Sequence, residues 1–317
     1  MKGKKKPISR RDFTKVTTIG AALAGTSSAM GSLAGESKVA PLRLGGPVFE
    51  KYEDPETWVR ALKKLGYRAA YCPVGPEEKD DVVNAYARAA EKADIVIAEV
   101  GAWSNPVSPD EETRTQSLVK CRTHLALADR IGARCCVSTS GSRNKIRGPH
   151  PDNLTMETFD LIVETMRKII DDVKPTRSFY ALETMPWIYP DSPDSYLQLI
   201  KAIDRKQFAA HLDPVNLVCS PQRYFNNGAL IRECFNKLGP YIKSCHAKDT
   251  LIQPELTTHI DEVRPGLGKL DYATYLRELS RRPDTPLMLE HLETAEEYGQ
   301  GAEYIRSVAG GIGLSFG

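Results

Sequence analysis

From Pro41 to the C-terminus, short apolar runs alternate with longer amphipathic stretches, and the pair repeats eight times. The apolar runs fall at 42–44, 68–72, 95–100, 133–138, 179–183, 208–213, 242–246 and 287–290. Between them lie helical patterns: Asp54-Pro55-Glu56 supplies an N-cap, a proline at the first helical position and an acid in the first turn. Trp58, Leu62 and Leu65 then line one face before Gly66 ends it. Leu118, Cys121, Leu125 and Ala128, closed by Gly132, repeat the pattern, as do Phe159, Ile162, Val163, Met166 and Ile170.

Eight strand–helix units in one chain of 317 residues, with no Pro/Ser/Gly linker to divide it, predict a single-domain α/β fold, the (β/α)8 TIM barrel. An open doubly wound sheet would carry a Gly-rich phosphate turn after its first strand. Gly45-Gly46-Pro47 stands there instead, and the lone Gly266-Leu267-Gly268 comes too late to serve.

In such a barrel, chemistry gathers where the strands end, so the informative residues are polar ones that close an apolar run. Four successive runs close this way: Tyr180-Ala181-Leu182-Glu183, Ala210-His211-Leu212-Asp213, Ser244-Cys245-His246 and Met288-Leu289-Glu290. Their terminal residues are 30, 33 and 44 positions apart, each spacing compatible with one intervening unit. Neighbouring strands lie about 4.8 Å apart, so four adjacent ends can converge on one ion. Glu183, Asp213, His246 and Glu290 are therefore the expected metal ligands. Three carboxylates and an imidazole make a hard, mostly oxygen set, which predicts one divalent cation: Mn²⁺ first, with Mg²⁺, Co²⁺ or Zn²⁺ as the other candidates.

The segments Leu182-Glu183, His211-Leu212-Asp213-Pro214-Val215-Asn216, His246-Ala247-Lys248-Asp249, Arg264-Pro265-Gly266-Leu267-Gly268 and Leu289-Glu290-His291 resemble the xylose isomerase-like barrel superfamily, over nearly the whole chain beyond residue 34. That superfamily holds sugar isomerases and epimerases, sugar dehydratases and endonuclease IV. The resemblance implies the same four metal ligands, a carbohydrate or keto-sugar substrate, and proton transfer by Glu183 and Glu290 on opposite faces of a carbon next to a carbonyl, through an enediolate that the metal stabilises. Return of the proton gives isomerisation or epimerisation. Expulsion of a group β to the carbonyl, as from a 3-keto-glycoside, makes the same site a lyase. A barrel that only binds carbohydrate is a third possibility, and the endonuclease reading needs more metal ligands than this sequence offers. Ketose epimerases of the family place a histidine three residues beyond the aspartate to contact substrate, whereas this chain has Asn216 there.

Further candidates surround the ligands. His150, in Gly148-Pro149-His150-Pro151 after the fourth strand, and His211, two residues before Asp213, are candidate acid/base groups or substrate contacts. Lys248, two residues past His246, is placed to bind a substrate oxygen or favour an enolate. Trp103 and Trp187 follow the third and fifth strands as candidate walls for a sugar ring, and Asn216 and Arg264 complete the expected substrate contacts. His124 and His259 receive no role.

Residues 1–34 differ from the rest. Lys2, Lys4, Lys5 and Lys6 lead into Ser9-Arg10-Arg11-Asp12-Phe13-Thr14-Lys15, then an Ala/Gly-rich apolar run to Ser32-Leu33-Ala34. This order is that of an export signal, and the arginine pair resembles the twin-arginine type, whose machinery exports folded proteins. It predicts a barrel from residue 35 to 317 in the periplasm, and shifts the expected substrate from sugar phosphates to free or glycosidic sugars. The segment holds seven Lys/Arg and one Asp, so removing its net +6 turns the whole-chain +2 into −4. A mildly acidic domain offers no electrostatic footprint for nucleic acid. No later apolar run is long enough to span a bilayer. The seven cysteines form no CxxC pair and sit mostly in apolar runs, which predicts buried free thiols.

Overall fold

Pro55 and Glu56 after an Asp54 cap do start a helix, and the same start signals recur along the chain in a computed structural model that describes residues 40–317. The expected export signal at residues 1–34 lies outside the described residues. The strands are β1 (Leu44–Gly46), β2 (Ala69–Tyr71), β3 (Val96–Gly101), β4 (Cys135–Ser138), β5 (Phe179–Glu183), β6 (Phe208–Leu212), β7 (Ile242–Ala247), β8 (Asp249–Ile252), β9 (Ile260–Val263) and β10 (Leu287–Leu289). Eight of them close into a parallel barrel in the order β1-β10-β7-β6-β5-β4-β3-β2, the expected (β/α)8 architecture. The other two, β8 and β9, form an antiparallel hairpin inserted after β7 that the sequence reading did not anticipate.

Around the barrel run α1 (Pro55–Lys64), α2 (Asp80–Lys92), α3 (Glu111–Ile131), α4 (Met156–Val173), α5 (Pro193–Ile203), α6 (Pro221–Phe225), α7 (Asn227–Leu238), α8 (Tyr272–Ser280) and α9 (Ala295–Gly311). Their starts are set by side-chain caps: Asp54, Asp110, Thr155, Ser192, Asp271 and Thr294 each accept a backbone N–H of the first turn. Gly132, at φ 75°, ends α3 in the left-handed conformation that glycine adopts without strain. Trp58, Leu62, Leu125, Ile162, Met166, Leu199, Ile231 and Leu279 turn inward from the helices onto the outer faces of the strands, where all are buried.

The first strand lies two residues later than the sequence reading placed it. Leu42 instead bridges to Phe316, and the strand itself carries Gly45 and Gly46. A Cβ at Gly45 would collide with the Ala69 carbonyl and the Met288 sulfur, so the barrel closes here only around bare backbone. All seven cysteines are unpaired thiols, five of them buried. Among the described residues no helix is long and apolar enough to cross a membrane.

Candidate metal centre

The strand ends deliver their polar residues to one place. Glu183 closes β5, Asp213 follows β6, His246 lies near the end of β7 and Glu290 follows β10. One ligand atom from each of these four lies within 4.8 Å of the other three. His246 Nδ1 is 2.7 Å from Glu290 Oε1, 3.3 Å from Glu183 Oε1 and 3.8 Å from Asp213 Oδ2. Because β10, β7, β6 and β5 are consecutive in the barrel, the grouping follows from topology alone.

Local contacts fix how each group faces. Asp213 Oδ1 accepts the backbone N–H groups of Val215 and Asn216 at 3.0 and 3.4 Å, while Oδ2 is buried with no aligned hydrogen-bond donor. Glu290 Oε1 is in the same condition. Glu183 is held at both oxygens, by Trp103 Nε1–H at 2.7 Å and by Asn216 Nδ2–H at 3.1 Å. Thr184 Oγ1 donates to the Asp213 carbonyl at 2.7 Å and ties the ends of β5 and β6 together.

A positive charge already stands among the acids. Lys248 Nζ lies 2.8 Å from Asp213 Oδ2, 2.5 Å from Glu290 Oε1, 3.5 Å from Glu262 Oε2 and 3.8 Å from Glu183 Oε1, and the residue is only 2% exposed. These are ion pairs by distance. Asp213 Oδ2 and Glu290 Oε1 lie off the line of a hydrogen bond, which reconciles the short separations with their unsatisfied state. Burial alone would neutralise Lys248, but Asp213, Glu290 and Glu183 outweigh it and raise its pKa far above the ordinary lysine value.

The other shifts follow the same competition. Burial pushes the Glu183 carboxyl up, yet the His246 hydrogen bond and charge overcome it and bring its pKa to about 2. Burial likewise opposes ionisation of Asp213, and the Lys248 charge with the His246 contact depresses its pKa strongly. For His246, burial disfavours the cation, but Glu99, Glu290, Asp213 and Glu183 raise its pKa well above the usual value.

These residues fit a hard divalent cation. Two buried carboxylate oxygens lack aligned donors, both belong to the group that converges on His246 Nδ1, and the donor set is three carboxylates and an imidazole. Ligand bonds of about 2.1 Å allow ligand atoms to lie at most about 4.2 Å apart. Spacings of up to 4.8 Å need to tighten by at most about 0.6 Å.

Of the remaining expected site residues, Trp103 lies in the site, its ring stacked at 25° and 6.3 Å from that of His246, and Asn216 touches Glu183. His211 is corrected: it is fully buried behind His246, their ring centroids 4.0 Å apart, and presents no surface to a substrate. Two residues back along a strand is one layer deeper in a barrel. His150 caps the short turn Pro151–Leu154, its ring accepting the Asp152 N–H at 3.3 Å, and makes no contact with the four ligands. Trp187 packs against the core and accepts the Asn153 side-chain N–H at its carbonyl. Arg264 donates to the Pro265 carbonyl. Its motif serves a structural purpose, because the buried Asp249 carboxylate accepts the N–H groups of Thr250, Gly266, Gly268 and Leu270.

Glu99, in the middle of β3, escaped the sequence reading. It is 1% exposed, with Oε1 3.1 Å from His246 Nε2 and Oε2 accepting from Ser244 Oγ at 2.9 Å. A charged residue inside an otherwise apolar strand run was the available signal. Beside the ligands opens a cavity of about 460 Å³, lined by Pro186, Val218, Pro221 and Ile260 on its apolar side and by Asn216, Thr250 and Glu262 on its polar side. That size suits a small-molecule ligand.

The family model for xylose isomerase-like TIM barrels matches residues 59–308. Comparison with curated proteins finds no match. Among solved structures, endonuclease IV from Thermus thermophilus superposes with a TM-score of 0.64 at 14% identity, covering 84% of this chain and 98% of its own. A xylose isomerase-like TIM barrel protein from Mycobacterium smegmatis, in complex with magnesium, gives 0.59 at 17% identity, covering 85% and 96%. D-psicose 3-epimerase from Clostridium cellulolyticum, with D-tagatose, gives 0.58 at 15% identity, covering 85% and 92%. At these identities the likeness is one of fold.

Proposed function

The chain belongs to the xylose isomerase-like TIM barrel family, and from that premise we propose that it is a divalent-metal-dependent isomerase or epimerase of a carbohydrate or keto-sugar. The observation that carries this reading is the convergence of Glu183, Asp213, His246 and Glu290 at the strand ends, beside a cavity whose wall includes Asn216 and Glu262. It is supported by a magnesium-bound protein and a ketose epimerase built on the same barrel.

When bound, the cation supplies the positive charge that stabilises an enediolate formed by proton loss next to a carbonyl. The chain's own residues do the rest. Glu183 and Glu290 are the candidate proton carriers. Glu183 is anchored by Trp103 and Asn216, whereas Glu290, at the edge of the buried cluster, is held by Lys248 and His246. Trp103 provides an apolar wall, and Lys248 brings a second positive charge toward substrate oxygens. Arg264, Trp187 and His150 stand in the loops, outside the ligand cluster. His211 is withdrawn as a substrate contact on the strength of its burial.

A second reading, β-elimination from a keto-glycoside, is favoured by the cavity beside the cluster, which reaches from Asn216 and Glu262 to Pro221, Thr258 and Ile260 and leaves room for an aglycone. The deciding experiment incubates the purified protein and Mn²⁺ with free sugars and 3-keto-glycosides in D2O and follows products by NMR. Isomerised product carrying deuterium at the carbon next to the carbonyl supports the first reading, and aglycone release supports the second. Sugar binding without turnover, unchanged by a chelator, would leave a carbohydrate-binding barrel and overturn both. Mn²⁺ is the proposed native ion, and the periplasm, reached through the twin-arginine machinery, is the proposed location.

A further inference from the structure

Glu99 sits where a carboxylate is costly. The part of β3 around it is buried on both sides, and among the described residues no lysine or arginine pairs with it. A buried carboxylate paired only with imidazoles is retained when its hydrogen bonds do something an apolar residue cannot. Glu99 reaches across the barrel, from β3 to the opposite strand β7, and meets Ser244 and His246 there.

We propose that Glu99 is a positioning residue: by accepting the His246 Nε2–H it fixes the tautomer that leaves the Nδ1 lone pair facing Glu183, Asp213 and Glu290, and so sets the site's affinity for a divalent cation. This inference rests on the metal-site reading above. The geometry has three parts. Glu99 Oε1 lies 3.1 Å from His246 Nε2, while Nδ1 of the same ring lies 2.7 Å from Glu290 Oε1, so one ring nitrogen faces the anchor and the other faces the ligands. Ser244 Oγ donates to Glu99 Oε2 at 2.9 Å, which keeps the carboxylate from rotating away. The His211 ring packs edge-on against His246 at 4.0 Å, and its Nδ1 lies 3.3 Å from Glu99 Oε2, closing the remaining side. An imidazole can ligate only through an unprotonated nitrogen, and a partner on the far nitrogen decides which one that is.

Glu99→Gln is the informative substitution because it conserves volume while allowing the amide N–H₂ to face Nε2, which would move the ring proton to Nδ1. Mn²⁺ binding by titration calorimetry, together with ¹⁵N chemical shifts of the His246 ring in the metal-free protein at an alkaline pH where the ring is neutral, reads both halves. Expected are one ion per wild-type chain, about 10–100-fold weaker binding in Glu99→Gln, an altered tautomer balance and an unchanged circular dichroism spectrum. Ser244→Ala, which removes only the restraint on Glu99, should weaken binding by less. Unchanged affinity and tautomer in Glu99→Gln would overturn the proposal, as would lowered stability with the tautomer unmoved. Two ions in the wild-type chain and one in Glu99→Gln would overturn it differently, by making the buried group Glu99, Cys135 and His211 a metal site in its own right. Failure of the wild-type chain itself to bind Mn²⁺ would sink the metal-site reading instead.

Discussion

Lys248→Met should make the metal-free protein markedly less stable and much of the loss should return when a divalent cation is added. The ammonium lies within 4 Å of four carboxylates, at 2.8 Å from Asp213, 2.5 Å from Glu290, 3.5 Å from Glu262 and 3.8 Å from Glu183, and is itself almost fully buried. Removing one partner of a buried ion pair costs about 3–5 kcal/mol, because the remaining charge is left uncompensated. Methionine is one atom shorter but fills most of the same space, so little of that cost is cavity. For a domain of this size each kcal/mol moves the midpoint by about 2–4 °C, which predicts a fall of about 6–20 °C in chelator. A cation binding the same carboxylates restores charge balance, and at a thousandfold excess over its Kd contributes about 4 kcal/mol. Thermal unfolding followed by circular dichroism, with EDTA and then with Mn²⁺, gives both numbers. A variant within about 2 °C of wild type in EDTA, less than one kcal/mol is expected to produce, or a gap that Mn²⁺ leaves as wide as before, would refute the argument that Lys248 and the cation answer to the same charges.

Gly268→Ala should lower stability by about 1–3 kcal/mol, the usual cost of overpacking, because a Cβ there meets the Asp249 carboxylate and the Thr250 carbonyl; urea unfolding should show a lower midpoint at constant slope. Trp103→Phe keeps an aromatic ring but removes the indole N–H that Glu183 accepts, and should cost about 1–3 kcal/mol in thermal unfolding while loosening the carboxylate. Asp129 carries a pH dependence. Burial raises its pKa, but the N–H groups of Arg177, Ser178 and Thr176 outweigh burial and leave the folded value below the unfolded one. Its contribution is therefore present above an unfolded pKa of about 3.9 and fades as pH falls through the lower folded value. Asp129→Ala should cost about 1–2 kcal/mol at neutral pH, and the difference from wild type should shrink in acid; a difference that stays constant well below the unfolded pKa would contradict this. Replacing Arg10 and Arg11 by lysine should hold the protein in the cytoplasm, as fractionation and blotting would reveal.

Why some of this was readable beforehand and some was not can be seen in particular residues. β5 and β6 were legible because Phe179–Glu183 and Phe208–Leu212 are largely apolar and stop at a charge, the pattern of a strand buried on both faces. The candidate metal ligands were legible for the same reason, since they are the polar groups that do the stopping. β1 was displaced because glycines carry no hydrophobic signal, although the barrel needs their bare backbone there. The β8–β9 hairpin was hidden because Asp261 and Glu262 are exposed and its loop is polar, so its period-two pattern has little apolar contrast. His211 was misjudged for want of depth: sequence spacing gives the face of a strand but not the layer. Glu99 was passed over because, although its charge stands out in an apolar run, its role depends on Ser244 and His246, 145 and 147 residues away, which local sequence does not link to it.

The hairpin gives the site a wall that the barrel does not need. β8 and β9 bond to each other and to no barrel strand, and the loop that follows them is gathered around Asp249, at the very start of β8. The stretch between Thr250 and Val263 therefore lies outside the ladder that presents the four candidate ligands. Yet this is the stretch that places Glu262 against Lys248 and His291, and Thr258 and Ile260 along the cavity. Variation in the cavity wall can thus be confined to one hairpin, with the Glu262 contact to Lys248 as its link to the charged cluster beneath.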